Sequence, residues 1–245
     1  MKPSTNLQLF IDRFTIGNGC ILFCLGLILV SCAALPKIQS SRSSLSEIDD
    51  IRCELPFVKN RWQFVHSIKA VLPNGQRQSM IGTIIVTPET QTIHGVLMSI
   101  EGIVLLDVLY DQTLIVNRAI PPFDQPEIYQ GLIDDIRLLF LKPDGNRIAC
   151  GQAGEGAAIC RYRKQDGMTV DVTVGLDGKW KIDQYSRNDR LERTVRADFF
   201  RNPDLGKSGE GIPARLELTA HGFLGYKLSL DLIEAVPLTP QGLSE

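Results

Sequence analysis

Residues 93–110 read IHGVLMSIEGIVLLDVLY. Two apolar runs, Ile93 to Ile100 and Ile103 to Tyr110, are separated only by Glu101-Gly102. A connection that short joins antiparallel strands, because parallel neighbours need a crossover of a dozen or more residues. The second run puts Val104, Leu106, Val108 and Tyr110 on one face. Ile103, Leu105 and Leu109 lie on the other, broken only by Asp107. A strand apolar on both faces needs cover on both. One helix cannot supply it, so a closed barrel interior, or a cavity holding something apolar, is expected.

The pattern extends in both directions. Upstream, Phe64, His66, Ile68, Ala70 and Leu72 alternate with Val65, Ser67, Lys69 and Val71. Pro73-Asn74-Gly75 is a hairpin signal, and Met80 to Thr87 is the next strand. Downstream, Leu114 to Ile120 ends the meander at Pro121-Pro122. Asp124 then reads as the cap of a helix with Pro126 near its start. Ile128, Leu132, Ile136 and Leu139 form its apolar stripe, with Ile133 and Phe140 beside it, and Lys142-Pro143-Asp144-Gly145 ends it. Strands resume over Ala158 to Arg163, Met168 to Val174, Lys179 to Tyr185 and Leu191 to Phe200. A polar loop spans 202–211, and alternating strands follow over 215–220 and 226–232. Ser46 to Ile51 reads as a short capped helix.

The chain has 245 residues, a formal net charge of −2, 44% hydrophobic and 22% charged residues. That balance excludes a disordered chain and a basic nucleic-acid binder. Basic residues from Arg161 to Arg201 are interleaved with Asp171, Asp177, Asp183, Asp189 and Glu192, which is a solvated face, so no nucleic-acid partner is expected. No apolar run reaches the roughly 18 residues of a spanning helix.

The N-terminus reads as an address. Lys2 and Arg13 precede the apolar block Cys20 to Val30, which is of signal-peptide length. The block ends in Leu29-Val30-Ser31-Cys32. This is similar to the lipobox of bacterial lipoproteins, in which the peptidase cuts after a small residue and the following Cys carries acyl chains, palmitate among them. Residues 1–31 are then the signal peptide, with cleavage between Ser31 and Cys32, and Cys32 is the lipidated residue. Each buried methylene of such an anchor contributes ~0.8 kcal/mol. Ala33, where Asp would retain the protein at the inner membrane, implies the periplasmic face of the outer membrane. Ser-rich residues 32–50 read as a flexible tether, 51–237 as the folded domain and 238–245 as a tail.

The order of lipobox, tether, meander, one helix and meander resembles the LolA/LolB superfamily. The phrases Gly102-Ile-Val-Leu-Leu through Tyr110-Asp111, Ala119-Ile-Pro-Pro-Phe123, Asp135-Ile-Arg-Leu-Leu-Phe140 and the strand after Pro213 look most like LolB-like lipoproteins of the DUF3261 type. The resemblance implies a mainly β, α+β fold: an antiparallel, unclosed β-barrel whose concave face is covered or plugged by one or two helices. It also implies binding of an apolar ligand, an acyl chain or a lipidated protein, in transfer toward the outer membrane. The residues expected to face that ligand are Ile84, Val86, Leu97, Leu105 and Leu109 on strands, and Ile128, Leu132, Asp135 and Ile136 on the helix. The alternative is a non-enzymatic interaction lipoprotein with a filled core, presenting its loops to other envelope proteins.

Several residues carry two readings. Asp135 lies about 20° from Ile128 and about 40° from Leu139 on a wheel of 3.6 residues per turn. It is either a carboxylate at a cavity mouth or a stripe-edge Asp paired to an Arg. Phe223-Leu224 sit in a Gly-flanked turn, as a membrane-contact loop or as the closure of one barrel end. LolB-like proteins place their exposed Leu on a different loop. Cys150 and Cys160 flank a Gly-rich hairpin, as a disulfide or as two buried thiols, with Cys53 left odd. His66 reads as a core histidine, and His94 and His221 have no motif around them. Gly206-Lys-Ser-Gly-Glu-Gly211 lacks the earlier glycine and the helix of a phosphate loop. With no nucleophile–base set and no metal-ligand spacing, neither catalysis nor a cofactor or metal is expected.

Overall fold

The computed structural model describes residues 35–40, 51–198 and 212–238. The signal segment, Cys32, nearly all of the 46–51 helix, the 202–211 loop and most of the tail lie outside these residues. Among the described residues thirteen strands form one antiparallel sheet. They are β1 (Gln39–Ser40), β2 (Trp62–Val71), β3 (Arg77–Thr87), β4 (Thr92–Ser99), β5 (Val104–Asp111) and β6 (Thr113–Ala119). After helix α1 (Pro126–Phe140) come β7 (Gly145–Ala153), β8 (Ala157–Lys164), β9 (Thr169–Val174), β10 (Trp180–Tyr185), β11 (Leu191–Asp198), β12 (Arg215–Ala220) and β13 (Lys227–Pro237).

The sheet order is β1-β7-β8-β9-β10-β11-β12-β13-β2-β3-β4-β5-β6. Two meanders are thus stitched together where the last strand returns to the first long one: β13 pairs β2 from Lys227↔Val71 to Pro237↔Trp62. β1 and β6 are the edges, so the barrel is unclosed. The two-residue turn after β4 closes at Gly102, whose φ of +86° only glycine adopts without strain.

Alternation sets the concave face. Phe64, His66, Ile68 and Ala70 of β2 are buried, as are Ile84 and Val86 of β3, Ile93 and Leu97 of β4, and Leu106 and Val108 of β5. Ile133, Ile136, Leu139 and Phe140 of α1 pack on that face, and Leu216, Leu218 and Val195 complete the core.

Three local expectations are corrected. The helix is capped at Gln125, with no side-chain hydrogen bond, and not at Asp124; Pro126 is the first helical residue. Its buried stripe belongs to the second half, Ile133 to Phe140, whereas Ile128 is 38% exposed. The second apolar layer expected over β5 is also absent among the described residues. Leu109 lies opposite His94 and Ile115 on the outer face, and Ile115 is exposed. The edge strand β6 explains this, because it leaves the outer face of β5 open to solvent on one side.

Within the segment expected as a tether, Gln39 and Ser40 pair with Gln152 and Gly151. A Cβ at Gly151 would collide with the Gln39 carbonyl oxygen, so this pairing depends on glycine there.

Candidate functional site

The candidate site is the concave face beneath α1. Of the residues expected to line it, Ile84, Val86, Leu97 and Ile136 are buried between sheet and helix. Leu132 and Leu105 are half-buried against the same core. Leu109 and Ile128 are not part of this face. The three strand residues share one buried cluster with Ile136 of α1, and the helix contacts β4 and β5, so the apolar wall is covered.

The helix is held by an aromatic stack and two polar anchors. Phe140 stacks on Phe64 with ring centroids 4.9 Å apart and planes within 14°. His66 meets the same Phe140 ring at 5.9 Å. Asp135, buried at 2% exposure, accepts hydrogen bonds from Arg193 Nε on β11 (2.7 Å) and from the Tyr226 hydroxyl. Arg137 lies over the Tyr110 ring at 5.2 Å, donates to its hydroxyl at 3.3 Å and pairs with Asp144 at 2.9 Å.

Burial sets the electrostatics of this face. Desolvation pushes the Asp135 carboxyl above the usual range, against the opposing pull of Arg193 and the Tyr226 hydrogen bond. Burial, and then the Asp135 charge, push the Tyr226 phenol up, so it remains a donor. His66 is pulled down to about 4 by desolvation, and its Nδ1 is buried without a hydrogen-bond partner. The imidazole is therefore neutral at pH 7, a core ring and not a proton carrier.

Other polar groups sit off this face. His94 bonds Asp107 at 3.0 Å, which also accepts from Asn117. On β11, the Thr194 hydroxyl donates to Asp183 at 2.9 Å and meets His221 Nε2 at 3.0 Å. A hydrolytic triad needs the histidine between hydroxyl and carboxylate, and here the hydroxyl is in the middle. Two cavities adjoin the C-terminal end of α1. One of ≈ 170 Å³ is lined by Asp134, Arg137, Lys142, Lys164 and Arg193 among others. An open cleft of ≈ 460 Å³ is lined by Asp144, Asn146, Arg163 and Lys164 among others. Both carry charged side chains beside apolar ones, Leu138, Leu141, Met168 and Val170 in the first and Pro143 and Ile148 in the second.

Two turn tips on one rim of the half-barrel carry exposed apolar side chains. Phe223 and Leu224, in the turn between β12 and β13, are 98% and 74% exposed. They do not close a barrel end. The register places the β2–β3 and β4–β5 turns at the same end of the sheet: Lys227 opposes Val71, Val71 opposes Arg77, and Met80 opposes Ser99. Ile100 and Ile103, which flank the β4–β5 turn, are also exposed. Sequence reading passed over that second tip, although two isoleucines bracketing Glu101-Gly102 were its signal. It also missed Arg193 and Tyr226, which are far from Asp135 in sequence, and the approach of Cys53 to Cys160.

No family model and no curated protein matches the sequence. Among solved structures, a LolA superfamily protein from Nitrosomonas europaea is similar at a TM-score of 0.54 and 14% identity, covering 80% of this chain and 94% of that one. A domain from Vibrio parahaemolyticus, described as an outer membrane lipoprotein-sorting protein, is similar at 0.45 and 13%, covering 83% and 96%. The chain thus has a LolA-like fold: an unclosed antiparallel half-barrel with a helix across its concave face.

Proposed function

We propose that this protein is a lipid-anchored envelope lipoprotein whose half-barrel takes an acyl chain, free or on a lipidated protein, beneath α1. The observation that carries this reading is the apolar wall of Ile84, Val86 and Leu97, buried in one cluster with Ile133, Ile136 and Leu139 of α1. Ligand entry then requires α1 to move, and the wall it vacates is the binding surface. The fold likeness supports a binding role. The anchor is Cys32 after removal of residues 1–31, at the periplasmic face of the outer membrane. Among the described residues no helix is long and apolar enough to cross a membrane.

The test is native mass spectrometry of the detergent-free protein, followed by lipid extraction. A lipid or acylated peptide at near-stoichiometric amount supports a carrier or receptor. An empty protein that also refuses a fluorescent fatty acid favours the second reading, an interaction lipoprotein with a filled core. The packed interior favours that alternative.

In this reading the exposed Phe223-Leu224 tip is a membrane-contact loop. Burying a Phe or Leu fully contributes about 1.5–3 kcal/mol, so even half-burial of both contributes about 1.5–3 kcal/mol together. The double variant Phe223→Ser/Leu224→Ser, made without the acyl anchor, is therefore expected to cosediment with lipid vesicles at least about tenfold more weakly. Unchanged cosedimentation would remove the tip from the membrane contact.

A further inference from the structure

Three cysteines converge where residues 51–58 cross the sheet. Cys150 and Cys160 are cross-strand partners in β7 and β8, with Cα atoms 4.3 Å apart. Cys53, 107 positions before Cys160, has its Cα 6.1 Å from it. All three sulfurs lie within 4.8 Å of one another. Cys160 Sγ is in bonding contact with both others. One sulfur forms one disulfide, so in the oxidised protein the cluster holds one bridge and one thiol. The expected pairing of Cys150 with Cys160 therefore has a competitor, and Cys53 is not a bystander.

Cα separations in disulfides cluster near 5.5–6 Å and seldom fall below about 4.4 Å. Cys53–Cys160 lies close to the favoured value and Cys150–Cys160 lies just under the lower end. Cys53 and Cys160 are fully buried, while Cys150 is half-buried and the most accessible of the three. We infer that Cys53, Cys150 and Cys160 form a thiol–disulfide exchange site, with Cys53–Cys160 as the resting bridge and Cys150 as the resident attacking thiol. The Cys150 thiolate attacks Cys160 Sγ, the Cys150–Cys160 bond forms, and Cys53 leaves as the thiolate. Cys53 takes up a proton in place of the one Cys150 released, so no electron enters or leaves. Making the first bridge from three thiols removes two electrons and two protons, which a disulfide such as oxidised glutathione accepts as it becomes two thiols.

The exchange has a mechanical consequence. Residues 51–58 are tied to the sheet by Cys53 and by Arg52, which donates to the Val174 carbonyl at 2.8 Å. They are tied to the end of α1 by the Val58 N–H to the Phe140 carbonyl at 3.3 Å and by Lys142 to Glu54 at 2.8 Å. With Cys53 bridged, the strap is joined covalently to β8 and by hydrogen bonds to the end of the helix. With Cys150 bridged, the strap is held by noncovalent contacts alone.

The test is a non-reducing peptide map of the intact protein after oxidation with glutathione disulfide, with acid quenching and thiol alkylation. At neutral pH the expected map has a predominant Cys53–Cys160 linkage and alkylated Cys150. Incubation at pH 8.5 without reductant is expected to bring up Cys150–Cys160 and labelled Cys53. Native alkylation of Cys150 beforehand is expected to abolish that second linkage. Cys53→Ser is expected to shift the whole bridge to Cys150–Cys160, and Cys150→Ser to leave Cys53–Cys160 intact. A resting Cys150–Cys160 bridge with Cys53 free would overturn the assignment. So would three thiols that resist oxidation, three thiols on a stoichiometric metal ion, or a single linkage that never isomerises at pH 8.5.

Discussion

Replacing Arg193 by Met is expected to lower the folding stability by about 3–5 kcal/mol, the usual cost of breaking a buried ion pair by removing one partner. Asp135 sits on the buried side of α1 with its side chain 3% exposed, while that of Arg193 is 20% exposed. One carboxylate oxygen is held by Arg193 and the other by Tyr226. Without the guanidinium, the carboxylate keeps only the phenol as donor, in a site where burial already raises its pKa. Protonation is its only local relief. The group is then one whose folded pKa lies above its unfolded value. The stability linked to it is present below the unfolded pKa and is lost as pH rises through the folded one. The deficit of Arg193→Met is accordingly largest at pH 7 and shrinks toward pH 5. Urea denaturation at the two pH values reads this directly. The double variant Asp135→Leu/Arg193→Met leaves no charge stranded and is expected to lie closer to the wild type than Arg193→Met alone. Equal stability of all three proteins within about 0.5 kcal/mol would mean that water, and not the pair, solvates Asp135.

The contrast between what the sequence carries for this fold and for this pair is physical. Strands are written locally. Alternation in β2, β12 and β13, the Asn-Gly and Glu-Gly turns and the double proline after β6 each act within a few residues, and they place the meanders and the helix. The unclosed edges and the helix cover are implied by the family resemblance, whereas counting the apolar faces of β5 calls for a second layer that is absent among the described residues. The partners of Asp135 are set by the curl of the sheet, which brings β11 and the turn before β13 to a helix 58 and 91 positions away in the chain. No local pattern encodes such a meeting. Cys53 joins Cys160 across 107 positions for the same reason. The helix stripe illustrates an intermediate case. Periodicity found the right face, but which half of α1 packs depends on where the sheet ends, and Ile128 falls beyond the packed half.

The second large effect concerns pH and rests on His66. Its ring is 1% exposed, packed near Phe64 and Phe140, and its pKa is pulled down to about 4 by desolvation, with Asp231 opposing weakly. The unfolded chain returns it to its ordinary 6.5. Between those values the unfolded state binds the proton and the folded state does not. The stabilisation is therefore complete above pH 6.5 and is lost as pH falls toward 4, by about 3 kcal/mol at 1.36 kcal/mol per unit. Asp135 works in the opposite sense over part of this range, since its raised carboxyl gains relative stability on acidification. The whole-protein profile thus mixes two terms, and comparison with His66→Leu separates them. Leu fits the site without a titratable group and without the unpartnered Nδ1. From pH 7 to pH 4 the variant is expected to lose about 3 kcal/mol less than the wild type, even if it starts lower at pH 7 through the lost ring contacts. Parallel urea-midpoint profiles for the two proteins would show that His66 is hydrated in the native state, because only a solvated imidazole would keep its ordinary pKa beneath α1.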